Sequence, residues 1–269
     1  MAETTTDNGV QTIEAAFARA EAEADAAIKA ATSVLSTLKR YRSAARQGKI
    51  RDIRVAGEAA RQGIGSLDAQ VAGLAESWTF DDEAYLQNGG YVAELIGRAE
   101  REGLRISELD GRLYCYPSLI RVLPGDRAVS IDKAKERRLR PSLLVEHLKE
   151  VQKRPPRFRP GEFLESLASA YKVAIKQNNR GPGAVVALGE LYDLLTMLPG
   201  QSREYTKAEF ARDIYLLDQS NQTTAKDGSR IEFHAGAGAR VPRGALSVVT
   251  QHGEEKKYHG ISFVAVGGA

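Results

Sequence analysis

Residues 34–64, VLSTLKRYRSAARQGKIRDIRVAGEAARQGI, carry two helical repeats that meet at a single glycine, Gly48. On the N-terminal side, Val10, Ile13, Phe17, Ala20, Ala24, Ala27, Ala31, Val34, Leu38, Tyr41 and Ala45 recur in alternating steps of three and four residues. On the C-terminal side, Ile50, Ile53, Gly57, Ala60, Ile64, Leu67, Val71, Leu74 and Trp78 do the same. Such heptads bury one stripe of a helix against a partner stripe. Folding at Gly48 sets Ala24 to Ala31 against Ile64, Leu67 and Val71, and Gly57 with Ala60 against Leu35 and Leu38. Small residues then face large ones, and the pattern predicts an antiparallel helical hairpin over residues 10–79. Phe17 and Trp78 fall opposite each other at its open end.

Charge is polarised along this arm. Lys39, Arg40, Arg42, Arg46, Lys49, Arg51 and Arg54 crowd the tip with only Asp52 among them, whereas Glu14, Glu21, Glu23 and Asp25 lie near the open end. A convex group of lysines and arginines neutralises phosphates without reading bases, which gives salt-sensitive, sequence-independent affinity. Two other readings remain open: cations on solvated helix faces or paired with acids of the body, and a site for an acidic protein partner.

Outside the arm, residues 1–9 are polar and are expected to form a disordered tail. Residues 80–152 read as an α+β middle domain. It contains a short helix after Asp81, a helix Tyr91–Glu102 ended by Gly103, and a small antiparallel sheet built from 104–109, 112–116, 119–123 and 128–131. Asp110-Gly111 and Pro124-Gly125-Asp126 are its turns. A helix from Pro141 leads into Lys153-Arg154-Pro155-Pro156-Arg157-Phe158-Arg159-Pro160, whose three prolines favour an extended basic connector and a domain boundary. From 161 to 269, helices near 161–177, 184–198 and 206–218 precede strands near 230–234, 245–251 and 257–264, the order of a winged-helix-like domain. Thr206 with Glu209 has capping-box spacing. The fold class expected is therefore α+β and mostly helical.

A second basic cluster spans Lys133 to Arg159 and includes Arg137, Arg138, Arg140, Lys153, Arg154, Arg157 and Arg159. Arg138 and Arg140 precede a helix N-terminus at Pro141-Ser142, where backbone donors favour anions, so a phosphate finds side chains and amides together. The competing reading is a structural staple in which these guanidinium groups pair with carboxylates of the domains. In the winged-helix-like region, Lys207, Glu209, Arg212, Asp213 and Asp218 are expected on the exposed side of the third helix, a mixed surface unsuited to major-groove recognition. Arg240, Arg243, Lys256 and Lys257 are placed to touch phosphates as a wing would. Phe158, between two arginines, either stacks on a base or docks onto its own domain.

Composition bounds the remaining classes. With 269 residues, 42% hydrophobic content and a net charge of +3, the chain supports real cores, and charge clusters, not the total, carry any electrostatic argument. Cys115 is the single cysteine, so there is neither an intrachain disulfide nor a multi-cysteine zinc site. No apolar run reaches membrane-spanning length and no hydrophobic signal segment follows Met1, which makes a cytoplasmic protein without a membrane partner the expectation. No serine-elbow, phosphate-loop or zinc-protease motif occurs. His252 and His259 around Glu254-Glu255 suit surface histidines better than metal ligands, and Asn178 to Gly183 reads as a turn more simply than as an anion loop. The resulting expectation is a non-enzymatic accessory or adaptor protein without cofactors, contacting nucleic-acid phosphates through the arm tip and the connector. Its alternatives are a purely protein-binding scaffold with acidic partners and a winged-helix transcriptional regulator. Heptads leave the oligomeric state open, since an intrachain hairpin and an intermolecular bundle use the same seam.

Overall fold

The computed structural model describes residues 11–76, 78–154, 158–235 and 245–265. The expected tail, Arg157, Arg240 and Arg243 lie outside the described residues. In chain order the helices are α1 (Ile13–Arg46), α2 (Ile50–Glu76), α3 (Asp82–Gln87) and α4 (Gly90–Arg101). Strands β1 (Ser107–Leu109), β2 (Arg112–Cys115), β3 (Ser118–Leu123), β4 (Ala128–Ile131) and β5 (Ala134–Glu136) follow, then α5 (Pro141–Gln152) and α6 (Pro160–Gln177). The remainder comprises β6 (Val186–Ala187), α7 (Leu188–Leu195), α8 (Gln201–Glu204), α9 (Lys207–Gln219), β7 (Ser229–Ala235), β8 (Leu246–Val249) and β9 (Glu255–Ala265). The protein is mostly helical, with an N-terminal helical hairpin and two antiparallel sheets. Among the described residues, no helix is long and apolar enough to cross a membrane.

Contacts divide the chain into two compact units. The first comprises Met1–Arg98, Leu123–Ala128 and Arg137–Leu144; the second comprises Ala99–Val122, Val129–Glu136 and Val145–Ala269.

In the first unit, α1 and α2 form the expected hairpin, and Gly48 at φ 68 makes the reversal that a side chain would strain. Phe17 and Trp78 meet at the open end with ring centroids 5.2 Å apart. The seam, however, lies one residue away from the expected one at every second position. Ile13, Ala27, Val34 and Ala60 are buried as the heptads require, but their companions are Ala16, Ala44 and Ala56, not Phe17, Ala45 and Gly57. Leu35, Leu38, Ile64 and Val71, which the heptads assign to the seam, are exposed. Helix separation is the physical reason. A Cβ placed on Gly63 would lie 2.9 Å from Val34 Cγ2, so Val34 already fills the space between the helices at that level and leaves none for a further large side chain. Alanines fill most of the seam together with Ile13 and Val34, and Leu35, Leu38, Ile64 and Val71 lie on its flank.

The base of the arm is held by two carboxylates. The N-terminal turn of a helix carries unpaired N–H groups. Thr12 caps α1 through Ala15 N–H, and Glu94 of α4 accepts the N–H groups of Ile13 (3.0 Å) and Glu14 (3.1 Å) as well as the Tyr85 hydroxyl (2.7 Å). Burial and the neighbouring Glu94 carboxylate push the Tyr85 phenol up, which keeps it protonated as a donor. Asp81 caps α3, as the acidic run there suggests.

In the second unit, strands β1 to β5 pair in sequential order. Asp110 and Gly111 both take positive φ in the β1–β2 turn, which is what a two-residue hairpin of this kind demands. β5 was not legible in advance: it is three residues long and largely exposed, too short to show alternation. The second sheet has the order β6-β9-β7, with β8 pairing the N-terminal half of β9. The expected helix 184–198 is instead β6 followed by α7, because Val186 and Ala187 pair with Ile261 and Gly260 of β9. The close approach of β6 requires Gly260, where a Cβ would sit 2.5 Å from the Val186 carbonyl oxygen. Buried residues of α6, α7, α9 and β7 to β9 form one cluster that also contains Tyr114 and Leu119 of the first sheet.

Helix α9 opens with the capping box expected at Thr206 and Glu209. Lys207 is exposed as expected, but Glu209, Arg212, Asp213 and Asp218 are not on an exposed surface as the sequence suggested. Glu209 and Asp213 are buried, and Arg212 retains 19% of its side-chain exposure. Arg212 bridges Asp213 (2.9 Å) and Asp132 in the β4–β5 turn (2.8 Å), the Tyr205 hydroxyl donates to Asp213, and Lys133 pairs with Glu209. Burial lowers the affinity of Arg212 for its proton, but Asp213 and Asp132 outweigh it and raise the net value. An amphipathic helix on a sheet-bearing body hides its polar residues when a neighbouring turn supplies their partners, and that turn lies 80 residues away in sequence.

Two outcomes follow. Ala56→Asp, in the seam, should unfold the arm, while Ile64→Glu, on the flank, should leave its helicity unchanged by circular dichroism; equal loss in both would contradict the one-residue shift. Arg212→Met, which leaves Asp213 buried without its cation, should cost about 3 kcal/mol in urea denaturation.

Candidate nucleic-acid interface

Helix α1 ends at Arg46. Gln47 N–H closes on the carbonyls of Ser43 and Ala44, Gly48 supplies positive φ, and Lys49 N–H returns to Ala44 O at 3.0 Å. Helix α2 starts at the next residue, so the arm tip is a tight link flanked by the last turns of α1 and the first turns of α2. Lys39, Arg40, Arg42, Arg46, Lys49, Arg51 and Arg54 are all exposed here. They lie within about 14 Å of the link along the arm, at 1.5 Å of rise per residue. None of them forms an ion pair with a described residue; the first pair along α2 is Arg61 with Glu58. Arg46 complements the carbonyl end of α1, and the unpaired first-turn N–H groups of α2 add positive potential at the same end of the arm. The tip is therefore a convex cationic surface whose charges are not paired with any described residue.

The second cluster is divided between the two units. Arg137, Arg138 and Arg140 belong to the first unit, and Lys153, Arg154 and Arg159 to the second. Arg137 and Arg138 are exposed. Arg140 is engaged: its Nε contacts Glu14 Oε1 at 2.8 Å and its terminal nitrogen contacts Glu21 at 2.6 Å. The N-terminus of α5, where a phosphate was expected, is already occupied by an anion of the protein itself. Glu14 accepts both the N–H and the hydroxyl of Ser142, each at 2.9 Å. Arg140 is a structural staple, and this part of the phosphate expectation is corrected. Lys153 and Arg159 each pair with an acid three residues away, Glu150 and Glu162, on exposed helix ends. Arg154 is exposed. Phe158 is half-buried and packs edge-on to Phe163 at 5.5 Å between ring centroids, so it docks onto its own unit.

At the start of β9, Lys256 pairs with Asp218 at 2.7 Å and lies over the Tyr258 ring, and Lys257 pairs with Glu255. Cys115 is fully buried, and burial pushes its thiol up to about 12, so it stays protonated and unreactive at neutral pH. His234 shares a hydrogen bond with Ser262 across β7 and β9 at 2.9 Å, and His252 lies in the turn before β9. The residues that sequence reasoning missed are Glu94, Tyr85 and Glu14 as anchors. Their partners lie 81 residues away for Ile13 with Glu94 and 128 for Glu14 with Ser142, so no local spacing announces them.

Burial works against the Glu14 charge, but the hydrogen bonds from Arg140 and Ser142 outweigh it and hold the carboxyl below its usual range. A folded-state value below the unfolded one stabilises the protein above the unfolded value of about 4.5 and loses that contribution as pH falls through the folded one. Acidification below about pH 4.5 should therefore loosen the arm base, and Glu14→Gln should cost about 1–2 kcal/mol at pH 7 while flattening the acid limb of the stability profile. Denaturation midpoints across a pH series check both.

No family model matches this chain, and no curated protein or solved structure shows detectable similarity to it.

Proposed function

We propose that the protein is a non-catalytic accessory or adaptor protein of a larger assembly, and that its helical arm contacts nucleic-acid phosphates through the basic tip. One observation carries this reading: seven exposed lysine and arginine residues surround the α1–α2 link, and none forms an ion pair with a described residue. Structural arginines elsewhere in the chain, Arg140 and Arg212 above all, have carboxylate partners. Cations left exposed on a convex end suit phosphate oxygens, which need no pocket and no base-specific register. Arg137 and Arg154 are secondary contacts in this reading.

The C-terminal region is proposed as a winged-helix-like module that binds protein. In support, α6, α7 and α9 are followed by the β7–β9 pair, and the short strand β6 between α6 and α7 adds to the free edge of β9. The burial of Glu209, Arg212 and Asp213 speaks against a regulator that reads operator bases through α9, since base readout needs free side chains on the inserted helix. A purely protein-binding scaffold has its own support in a groove of about 510 Å³ between α6 and the end of α7, lined by Ala170, Val173, Leu194, Leu195 and Met197.

Fluorescence anisotropy with a labelled random duplex across a salt series tests the arm. Binding should weaken with salt at a log–log slope of about −3 to −5, and changing Lys39, Arg46, Lys49 and Arg51 to Gln should abolish it at moderate salt. Binding unaffected by these changes, or none at moderate salt in the unmodified protein, overturns the reading.

A further inference from the structure

The shift of the seam leaves the arm with an apolar face whose middle, between the Phe17 end that rests on Trp78 and the tip, no described residue covers. Phe17, Ala24, Ala31 and Leu38 run in heptad steps along one flank of the seam in α1, with Ile28 and Leu35 one step further out. Ile50, Gly57, Ile64 and Val71 run along the corresponding flank of α2. In an antiparallel helix pair, the positions that follow the second seam position of each heptad fall on the same side of both helices, so these two rows form one face. Exposure on it is high: Ile28 62%, Leu35 53%, Ile64 51% and Val71 51%. The opposite flank carries Arg19, Ser33, Arg40, Asp52 and Ser66 among small residues, with Val55 as the large hydrophobic exposed there.

We propose that this face docks a second copy of the same chain, packed antiparallel to the first about a two-fold axis near Ala31 and Ile64, so that two hairpins form a four-helix bundle. The charges on the face select this occupant. Along the outer row of α1 the order is Glu14, Glu21, Ile28, Leu35, Arg42, acidic at one end, apolar in the middle and basic at the other. A two-fold axis near Ala31 brings Leu35 of each copy opposite Ile28 of the other, and Arg42 opposite Glu21, which would then lie between Arg42 and the Arg140 it already pairs with. The outer row of α2, Arg54, Arg61 and Asp68, has no apolar middle, but an axis near Ile64 sets Arg61, which pairs with Glu58 on its own helix, opposite Asp68 of the other copy. The two midpoints coincide, because Gly63 packs on Val34 and so Ile64 lies at the level of α1 residues 33–34. A row that is its own complement when reversed is what an isologous interface requires. A parallel arrangement would instead stack basic tip on basic tip.

The dimensions also suit a dimer. From Phe17 to Ala45 the face is about 40 Å long and, across two helices, about 20 Å wide, close to the roughly 800 Å² that each partner contributes to a stable interface. Of the tip cations only Arg42 and Arg54 border this face. Lys39, Arg40, Arg46, Lys49 and Arg51 point elsewhere, so the dimer presents two basic tips at opposite ends of one bundle, and the inference stands apart from the phosphate reading.

Sedimentation equilibrium of the full chain should give twice the 29.3 kDa chain mass. Leu35→Glu with Ile64→Glu should return the monomer mass while circular dichroism shows the helices retained. Arg61→Glu should weaken dimerisation several-fold, and adding Asp68→Arg should restore it, a rescue that a change in monomer folding would not produce. Ala31→Cys should cross-link two copies on oxidation; Cys115 is buried and does not compete. A monomer at the highest attainable concentration, a dimer that survives Leu35→Glu with Ile64→Glu, or a dimer that Ala31→Cys fails to cross-link would overturn the proposal.

Discussion

Two carboxylates at the base of the arm hold the first unit together. Glu94 of α4 takes the free N–H groups at the start of α1, and Glu14 of α1 takes those at the start of α5. Each helix N-terminus is thus capped by an acid from another helix, and Arg140 neutralises the second of these acids. A long hairpin on its own is marginal, because helix nucleation costs conformational entropy and an alanine-rich seam buries little apolar area. Charge-assisted hydrogen bonds at the base fix where the arm begins and how it leaves α3 and α4. They also decide which basic residues are free for other work: Arg140 is committed by this arrangement and the tip cations are not.

The seam sets a second constraint. Alanine and glycine let α1 and α2 approach closely, and close approach leaves room between them for few large side chains, Ile13 and Val34 among them. Leu35, Leu38, Ile64 and Val71 are therefore displaced to one flank, where they are exposed. Tight pairing inside the hairpin and an apolar face outside it are two results of the same choice of small residues. The opposite flank carries Val55 alone among the large exposed hydrophobics of the arm, so most of them share one side.

In the second unit the buried ionic network on α9 replaces the exposed helix that the sequence suggested. Arg212 bridges Asp213 and Asp132, and Tyr205 donates to Asp213, so the polar side of the helix is satisfied internally. Such a network ties the β4–β5 turn to the helical cluster, and its charges are too occupied to recognise bases. Burial dominates at Asp213, whose carboxyl is raised despite Arg212 beside it.

The sequence by itself determined the elements with strong local signals. These are the hairpin with its reversal at Gly48, the Thr206 capping box, the Asp110-Gly111 turn, the meeting of Phe17 with Trp78, and the charge polarity of the arm. Periodicity, positive-φ glycine and cap chemistry act over a few residues and leave a trace in the string. Tertiary structure alone decided which of two adjacent apolar rows fills the seam, since Ala16 and Phe17 are both apolar and only helix separation distinguishes them. It alone decided that β6 is a strand, through a partner in β9, and that Arg140 and Arg212 are structural while the tip cations are exposed. Those outcomes depend on contacts across tens to more than a hundred residues, and a charged side chain carries no local mark of whether the fold will bring it a partner.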